Sequence, residues 1–290
     1  MISASHKHLW RCRDFTFDLN TQTLIMGILN VTPDSFSDGG NFISTNVAVE
    51  QAHQMQSYGA HIIDVGGEST RPGSTPVSEK QELERVLPVI RALSKELLIP
   101  ISIDTYKANI ASAAIDAGAS IINDISGCRF DAKMPSVAAS TKAGLVIMHI
   151  KGEPQNMQSN PHYENLLPEI LDYLQQSIDL AIKDGVDASQ IVIDPGIGFG
   201  KRLKDNFQIL KELRKFKVLS RPILVGPSRK SFIGTVLNLP PKERLEGTIA
   251  AVTATIMNGA NIVRVHDVKE VKRAVDIVDI IVGKRKLSPL

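Results

Sequence analysis

Polar and charged side chains recur at the ends of short apolar runs in this 290-residue sequence. Each run is rich in β-branched residues and stops at a side chain that could bind a ligand. In chain order these side chains are Asn30, Asp64, Asp104, Asn123, His149, Asp194, Ser228 with Arg229 and Lys230, and Arg264 with His266. Burying an unpaired polar group costs about 1–3 kcal/mol, so a purely structural protein has little reason to place so many there. The set predicts a pocket for a polar, planar, nitrogen-rich ligand joined to an anionic group.

The runs that carry these side chains have the pattern of parallel strands that are buried on both faces. There are eight of them, at residues 23–30, 61–67, 100–104, 120–125, 144–149, 190–196, 222–228 and 261–267. Apolar residues at helical spacing fill most of the gaps, over 47–58, 78–97, 107–117, 165–184, 205–216, 247–258 and 268–282, with a less regular pattern over 132–142. We expect Ser78 to cap the helix at 78–97, Pro88 to kink or shorten it, and Gly185 to end the helix at 165–184.

Eight alternations of strand and helix predict an α/β fold, a single-domain (β/α)8 TIM barrel over residues 1–290. A doubly wound open sheet is the alternative, but it usually has fewer strands, and no GxGxxG follows the first strand. GFGK at 198–201 lacks the full spacing of a phosphate-binding loop. We expect residues 1–22 to form a short N-terminal extension, a hairpin or cap at the bottom of the barrel. Active sites of such barrels lie at the C-terminal ends of the strands, where the polar side chains stand.

Composition and charge argue against several other classes of protein. The chain has 33 basic and 31 acidic residues and no long basic run, so we expect no nucleic-acid-binding surface. No apolar run approaches the roughly 18 residues that a membrane-spanning helix needs. The N-terminus lacks the apolar segment of a secretory signal, and Cys12 and Cys128 stand far apart, outside any zinc-ligand spacing. We therefore expect a cytoplasmic protein without a disulfide framework.

Seven motifs of this sequence, in order, resemble those of the dihydropteroate synthase family. They are NVTPDSFSDGG (30–40), GGESTRPG (66–73), SIDT (102–105), INDISG (122–127), DPGIGFGK (194–201), GPSRKSFIG (226–234) and RVHDV (264–268). The resemblance covers residues 24–270 and is to the stand-alone bacterial type. It implies an enzyme of folate biosynthesis that condenses 6-hydroxymethyl-7,8-dihydropterin pyrophosphate with p-aminobenzoate, giving 7,8-dihydropteroate and pyrophosphate. The family is the target of sulfonamide drugs.

The resemblance also assigns the pterin to a set of six residues, Asp104, Asn123, Met148, Asp194, Phe199 and Lys230. A carboxylate can accept two adjacent N–H donors of the pterin edge, and we expect Asp194 to do so. Lys230 should donate to the pterin carbonyl or ring nitrogen, while Met148 and Phe199 pack on the ring faces. Considered alone, Lys230 could instead be a Schiff-base lysine whose pKa is depressed by burial or by Arg229.

The second substrate and the leaving group have their own residues in the family. The resemblance assigns p-aminobenzoate to Phe36, Thr70, Arg71, Pro72 and Ser231, with the loops at 31–41 and 66–76 closing over the site. Arg264 and His266 stand two apart in one strand and so point to the same side; with Asn30 they should bind pyrophosphate. The implied cofactor is Mg2+, held by Asn30 and Asp38 together with pyrophosphate oxygens.

The implied reaction replaces pyrophosphate on an exocyclic CH2 group with an arylamine, and its catalytic set is Asp104, Asp194, Lys230, Arg264 and His266. Neutralising the charge of pyrophosphate helps it leave, and the electron-rich dihydropterin can delocalise positive charge, which favours an SN1-like path. The alternatives are a methyltetrahydrofolate–corrinoid methyltransferase and a non-catalytic pterin-binding paralogue. Family members are commonly homodimers, and the helices at 247–258 and 268–282 have the apolar surface for such contact.

Overall fold

The computed structural model describes residues 9–32 and 41–286. Its first element is an antiparallel hairpin of β1 (Leu9–Cys12) and β2 (Phe15–Asp18). Eight parallel strands follow along the chain, and they are β3 (Leu24–Asn30), β4 (Ile62–Gly66), β5 (Ile101–Asp104), β6 (Ile121–Asp124), β7 (Gly144–Met148), β8 (Ile191–Asp194), β9 (Leu224–Val225) and β10 (Ile262–Val265).

The eight parallel strands close into a barrel. Hydrogen-bonded neighbours run in the order β8, β7, β6, β5, β4, β3, β10, β9. The ring closes where Ile193 of β8 bridges Ile223, just before β9, and the Ile193 N–H donates to the Pro222 carbonyl at 2.9 Å. The predicted (β/α)8 TIM barrel is thereby confirmed.

Helices cover the outside of the barrel and bury their apolar faces against the strands in one large core. They are α1 (Asn41–Ser57), α2 (Glu79–Glu96), α3 (Ala108–Asp116), α4 (Met134–Thr141), α5 (Leu166–Lys183), α6 (Leu203–Lys211), α7 (Ser231–Leu237), α8 (Leu245–Met257) and α9 (Val268–Ile281). Within residues 9–32 and 41–286, no helix is both long and apolar enough to cross a membrane.

Two of the three predictions about the ends of α2 and α5 are confirmed. Ser78 caps α2, since its hydroxyl accepts from the Gln81 N–H at 3.3 Å and the Gln81 side chain accepts from the Ser78 N–H. Gly185 follows α5 with a φ of 96°, as a helix-ending glycine does. The expectation that Pro88 shortens α2 was wrong: the helix continues through it, because buried apolar residues on both sides of Pro88 hold it against the barrel.

Two other expected boundaries were also wrong, and one helix was missed. The helix expected at 205–216 begins at Leu203 and ends at Lys211, and a 3-10 segment, Leu213–Leu219, follows it. The strand expected at 222–228 is reduced to Leu224 and Val225, since prolines on either side cannot donate to the sheet. The short helix α7 was not predicted.

The hairpin closes the bottom of the barrel. Because side chains alternate along a strand, every second residue faces the barrel axis. In the lower half most of these residues are apolar, and they form one cluster with Trp10, Cys12 and Leu19. The Trp10 indole N–H donates to the Gln190 carbonyl at 2.8 Å. A β-carbon at Gly144 would lie 2.5 Å from Cys12 Sγ, so the glycine makes room for the hairpin.

Candidate active site

The upper half of the barrel interior is polar. Continuing the same alternation towards the C-terminal ends of the strands, the inward positions are occupied by Asn30, Asp64, Asp104, Asn123, Met148, Asp194 and Arg264. The register aligns Asp104 with Asn123 and Met148 with Asp194. The structure thus brings the predicted pterin residues of β5, β6, β7 and β8 to one end of the barrel.

Arg264 joins two buried carboxylates. Its Nε donates to Asp64 Oδ2 at 2.5 Å, and its Nη2 donates to Asp104 Oδ2 at 2.6 Å. Asn123 Nδ2 donates to the same Asp64 oxygen at 3.0 Å. Burial raises the pKa of Asp104, and the charge of Arg264 opposes that rise. Two carboxylates therefore share one cation, which leaves this end of the barrel able to accept further donors.

Two oxygens of this cluster are available as acceptors. Asp64 Oδ1 and Asp104 Oδ1 are buried and have no hydrogen-bond partner among the residues that the structure describes. Buried polar atoms are nearly always paired, so an orphaned acceptor indicates a place for a ligand donor or water. Asp104 Oδ1 lies in the same layer as Asn123 and can accept from the N–H groups of a planar heterocycle.

Asp194 and Lys230 carry opposite charges and interact electrostatically nearby. Asp194 Oδ1 accepts from the Gly196 N–H at 2.7 Å, and burial raises the pKa of this carboxyl while Lys230 counteracts the rise. Burial lowers the pKa of Lys230 to about 8, opposed by Asp194. The Lys230 Nζ donates to the Ile197 carbonyl. A lysine near its pKa beside a buried carboxylate can donate to a ligand carbonyl or ring nitrogen.

An apolar wall adjoins these charged groups. Met148 packs with Ile125, Ile150 and Met157, and Phe199 lies against that cluster. The Lys230 Nζ stands 4.6 Å from the centre of the Phe199 ring. The two residues predicted to pack on the pterin faces therefore lie beside the residues predicted to hold its polar edge.

His266 is held by a serine. Its Nδ1 lies 3.0 Å from Ser228 Oγ, and its backbone N–H donates to that hydroxyl at 3.2 Å. Burial, together with the charges of Arg264 and Arg229, lowers the pKa of His266 to about 3. The ring is therefore neutral at pH 7 and able to donate or accept a hydrogen bond.

Arg229 turns away from the barrel axis. It has a left-handed backbone, with a φ of 56°, and its Nε donates to Asp267 Oδ2 at 2.9 Å. Burial, the other activator considered, lowers the pKa of Lys230, and the charge of Arg264 adds to this effect. The Schiff-base interpretation of Lys230 would therefore rely on burial and not on Arg229.

The predicted p-aminobenzoate residues stand at the rim. Thr70 is half-buried, whereas Arg71, Pro72 and Ser231 are exposed. The charge of Arg71 contributes to the lowered pKa of His266, which places Arg71 on the His266 side of the site. Phe36 and Asp38 lie outside the described residues, so their roles stay predictions.

A buried ion cluster anchors the loop that carries Thr70 and Arg71. At the base of the loop, Glu68 Oε2 lies 2.6 Å from Lys107 Nζ, which also lies 2.6 Å from Glu82 Oε2. The same nitrogen donates to the Val77 carbonyl at 2.8 Å. The loop therefore starts and ends on one lysine, with its rim residues between.

Asn30 is the one of the two predicted metal ligands that lies within the described residues. It is half-buried at the end of β3, and a β-carbon built at Gly66 would lie 3.8 Å from its Oδ1 and 3.7 Å from Asp104 Oδ2. Over the described ranges, no group of three or more His, Cys, Asp or Glu side chains could hold a metal ion. This donor set fits Mg2+ only where phosphate oxygens complete the coordination, as they often do.

Sequence reasoning assigned no role to four residues that the structure places here. Asp64, His149 and Ser228 had been noted as strand-end residues, and Lys201 as the lysine of GFGK. The signal for Asp64 is its alternation with Gly66 in β4, which turns it inward. The sequence around Lys201 does not show that it is buried here. Its contacts are to His149 and to backbone carbonyls of its own loop, and backbone carbonyls are not visible in a sequence.

Comparison with known proteins shows the family of this chain. The family model described as pterin binding enzyme matches residues 26–266 of the chain. A curated relative, the dihydropteroate synthase of Bacillus subtilis (strain 168), is 51% identical over 263 residues. The match covers 91% of this chain and 90% of the relative.

Two solved structures are similar over nearly their whole length. The crystal structure of dihydropteroate synthase from Clostridium difficile in the presence of pteroic acid is 48% identical with a TM-score of 0.87, and the match covers 91% of this chain and 98% of that one. The structure of Burkholderia cenocepacia dihydropteroate synthase complexed with 7,8-dihydropteroate is 38% identical with a TM-score of 0.86, over 95% and 96% of the two chains.

Proposed function

Because this chain belongs to the dihydropteroate synthase family of pterin-binding enzymes, we propose that the polar end of its barrel joins a dihydropterin pyrophosphate to p-aminobenzoate. The chain is an enzyme, a transferase of folate synthesis. One observation carries the assignment of this site: free carboxylate acceptors, a lysine and an apolar wall lie beside the Arg264 and His266 end of the barrel. The acceptors, the lysine and the apolar wall suit the polar edge and the ring faces of a pterin, and Arg264 and His266 suit its pyrophosphate.

The pterin edge would bind between β5, β6 and β8. Asp194 and Asp104 would accept its N–H donors, Asn123 can serve both polarities, and Lys230 would donate to the carbonyl or ring nitrogen. Met148 and Phe199 would contact the ring faces. The buried setting strengthens each of these hydrogen bonds, since little water competes for them.

The pyrophosphate would bind at Arg264, His266 and Asn30. Arg264 uses Nε and Nη2 for carboxylates, and its Nη1 donates to none of the described residues. That nitrogen and the neutral His266 ring can face an anion. Mg2+, when bound by Asn30, Asp38 and phosphate oxygens, would supply further charge neutralisation to the leaving group.

The p-aminobenzoate would bind at the rim, against Thr70, Arg71, Pro72 and Ser231, with Phe36 completing the site. Arg71 supplies a cation for the carboxylate, and its loop starts on the buried cluster of Glu68, Lys107 and Glu82. The amine would then approach the exocyclic CH2 from outside the barrel.

Carbon–oxygen cleavage would precede attack by the amine. Arg264 and His266 stabilise the charge that develops on pyrophosphate, while Asp104 and Asp194 stabilise positive charge on the pterin. An arylamine is neutral at pH 7 and loses its proton after attack, so no strong general base is needed. A secondary kinetic isotope effect near unity at the CH2 group would contradict this dissociative path.

We also propose a cytoplasmic location, a single domain and a homodimer that forms through α8 and α9. The cytoplasmic location is consistent with two buried free cysteines. The homodimer is supported by apolar side chains that remain exposed on those two helices.

The test of this function is the release of pyrophosphate from dihydropterin pyrophosphate by purified protein with Mg2+. We expect release to require p-aminobenzoate and to yield dihydropteroate. Lys230→Ala should lower kcat/KM at least about tenfold through the loss of a charge-assisted hydrogen bond. Lys204→Ala, an exposed lysine, is the control. Pterin binding without turnover under any metal condition would instead favour the non-catalytic paralogue.

A further inference from the structure

Lys201 is a buried lysine that the proposed reaction does not use. Only 2% of its surface is exposed, yet its Nζ contacts an imidazole and carbonyl oxygens rather than a carboxylate. The distances are 2.9 Å to His149 Nδ1, 2.8 Å to the Gly196 carbonyl oxygen and 2.8 Å to the Phe199 carbonyl oxygen. These three short contacts match the three N–H donors of an ammonium group, and the His149 carbonyl oxygen lies further away, at 3.5 Å. We call this nitrogen and its three acceptors the Lys201 cage.

The loop that follows β8 folds around this nitrogen. Gly196, Gly198 and Gly200 have φ values of 71°, 82° and 64°, which are left-handed conformations that favour glycine. A β-carbon at Gly196 would lie 1.9 Å from the His149 carbonyl oxygen. The alternating glycines therefore let the loop turn its carbonyl groups onto the lysine. The GFGK sequence therefore builds backbone carbonyls around a cation and is not a phosphate-binding loop.

His149 completes the cage from the neighbouring strand. It directly follows β7, and its backbone N–H donates to the Asp194 carbonyl at 2.9 Å. Burial and the charge of Lys201 lower the pKa of His149, so its ring is neutral. Burial also lowers the pKa of Lys201, and the charge of Asp194 opposes that fall. When Lys201 is protonated, Nδ1 of the ring accepts from it, which places the ring proton on Nε2. The Lys201 cage thus ties the end of β7 to the loop after β8.

The tied loop carries three groups of the proposed pterin site. The Gly196 N–H donates to Asp194 Oδ1 at 2.7 Å. The Ile197 carbonyl accepts from Lys230, and the Phe199 ring lies 4.6 Å from the same nitrogen. A shift of this loop would move a carboxylate, an aromatic face and the partner of Lys230 together.

We propose that Lys201 is a positioning residue for pterin binding, which acts with His149 to hold residues 195–200 so that Asp194, Phe199 and Lys230 face the pterin. The inference rests on the proposed function. Lys201 itself contacts its own loop and His149, and its effect on substrate passes through the three residues that the loop positions.

The test replaces Lys201 with methionine, which keeps the length and apolar stem but removes all three donors. We expect KM for dihydropterin pyrophosphate, and its Kd by calorimetry, to rise about 10- to 100-fold, as for the loss of hydrogen bonds from a charged group. At a saturating pterin concentration, KM for p-aminobenzoate should stay within about twofold. The matched control is Lys204→Met, an exposed lysine three residues along the chain, which should leave both constants unchanged.

A second pair of variants tests the same cage from His149. His149→Leu removes the acceptor and should weaken pterin binding as Lys201→Met does. His149→Asn keeps an oxygen close to the position of Nδ1 and should lose less. This pair of variants tests whether the contact between Lys201 and His149 affects pterin binding, even where Lys201→Met does not fold.

The proposal is overturned if Lys201→Met lowers the melting temperature while the Kd for the pterin substrate is unchanged. It is equally overturned if His149→Leu and His149→Asn bind the pterin equally well. A wild-type protein that binds no dihydropterin pyrophosphate would refute the proposed function itself, before any variant is measured.

Discussion

At the level of single residues, the site is a set of buried charges that only partly neutralise one another. Asp64 and Asp104 share Arg264, and the charges of Lys230 and Lys201 both lower the pKa of Asp194 against the effect of burial. Such buried charges contribute little net stability, because the cost of removing them from water offsets their attraction. Their arrangement is better explained by ligand binding, for which unpaired acceptors must be ready before the substrate arrives.

The lowered pKa of His266 has a consequence for acid stability. Its folded pKa is about 3, against about 6.5 in an unfolded chain, so between these values the unfolded state binds a proton that the folded state does not. Stability is therefore lost as the pH falls from about 6.5 towards 3. Between pH 7.5 and 5, we expect His266 to account for a loss of about 2 kcal/mol.

Urea unfolding at pH 7.5, 6 and 5 measures this effect. His266→Gln should lose less stability on acidification than wild type, whereas His162→Gln, at an exposed histidine, should follow wild type. Equal pH dependence in wild type and His266→Gln would show that the ring is not held neutral by its surroundings.

Part of this site could be predicted from single residues. Period-two alternation turns Asp104, Asn123 and Asp194 inward, and the sequence motifs name them. The partners of Arg264 could not be predicted, because Asp64 and Asp104 are 200 and 160 residues away and meet it only when the barrel closes. The Lys201 cage was equally hidden, since backbone carbonyls carry no side-chain signature.

At the level of elements, long apolar strands were predicted well and short or proline-flanked ones were not. The strands β3 and β7 keep nearly the expected ends because their apolar runs are continuous. The strand β9 has two residues, and α7 has seven with no apolar stripe long enough to show a helical period. These elements are fixed by barrel closure and by packing, which local patterns do not record.

The hairpin of β1 and β2, which closes the bottom of the barrel, should contribute measurably to the stability of the protein. Trp10 is fully buried, and its indole N–H donates a hydrogen bond to the Gln190 carbonyl. Trp10→Ala should therefore lower the free energy of unfolding by about 3–5 kcal/mol. Because the chemistry lies at the opposite end, kcat at 25 °C should be unchanged. Chemical denaturation and turnover of the same samples check both statements.

The exposed Thr16 of β2 provides the control, and Thr16→Ala should change the unfolding free energy by less than about 0.5 kcal/mol. A Trp10→Ala protein with wild-type stability would mean that the hairpin is not part of the folded core. A large fall in kcat without a change in stability would mean that the hairpin serves the active site.

At the level of the whole molecule, the barrel separates stability from chemistry along its axis. Apolar inward residues and the hairpin fill the lower half, while charged inward residues occupy the upper half. The helices that surround it bury their inner faces against the strands. Their outer faces nevertheless expose several apolar side chains.

That apolar surface is prominent near the C-terminal ends of α8 and α9, which pack against each other. Met257 is 45% exposed, Ile277 is 61% exposed and Ile281 is 64% exposed. Single exposed apolar residues are ordinary, but several on two adjacent helices form the kind of patch that a partner covers. A second copy of this chain is the partner that we propose, through an interface with the same patch on both subunits.

Light scattering coupled to size exclusion tests this proposal. Wild type should elute with twice the mass of one chain, and Ile277→Glu with Ile281→Glu should give the mass of one chain, because buried unpaired carboxylates would oppose association. The control is Leu98→Glu, which changes an even more exposed residue (84%) outside this patch and should leave the dimer intact. Both helices cover the barrel from outside, so the monomeric variant should keep its circular dichroism spectrum. A dimer that survives both substitutions would place the interface on another face of the barrel.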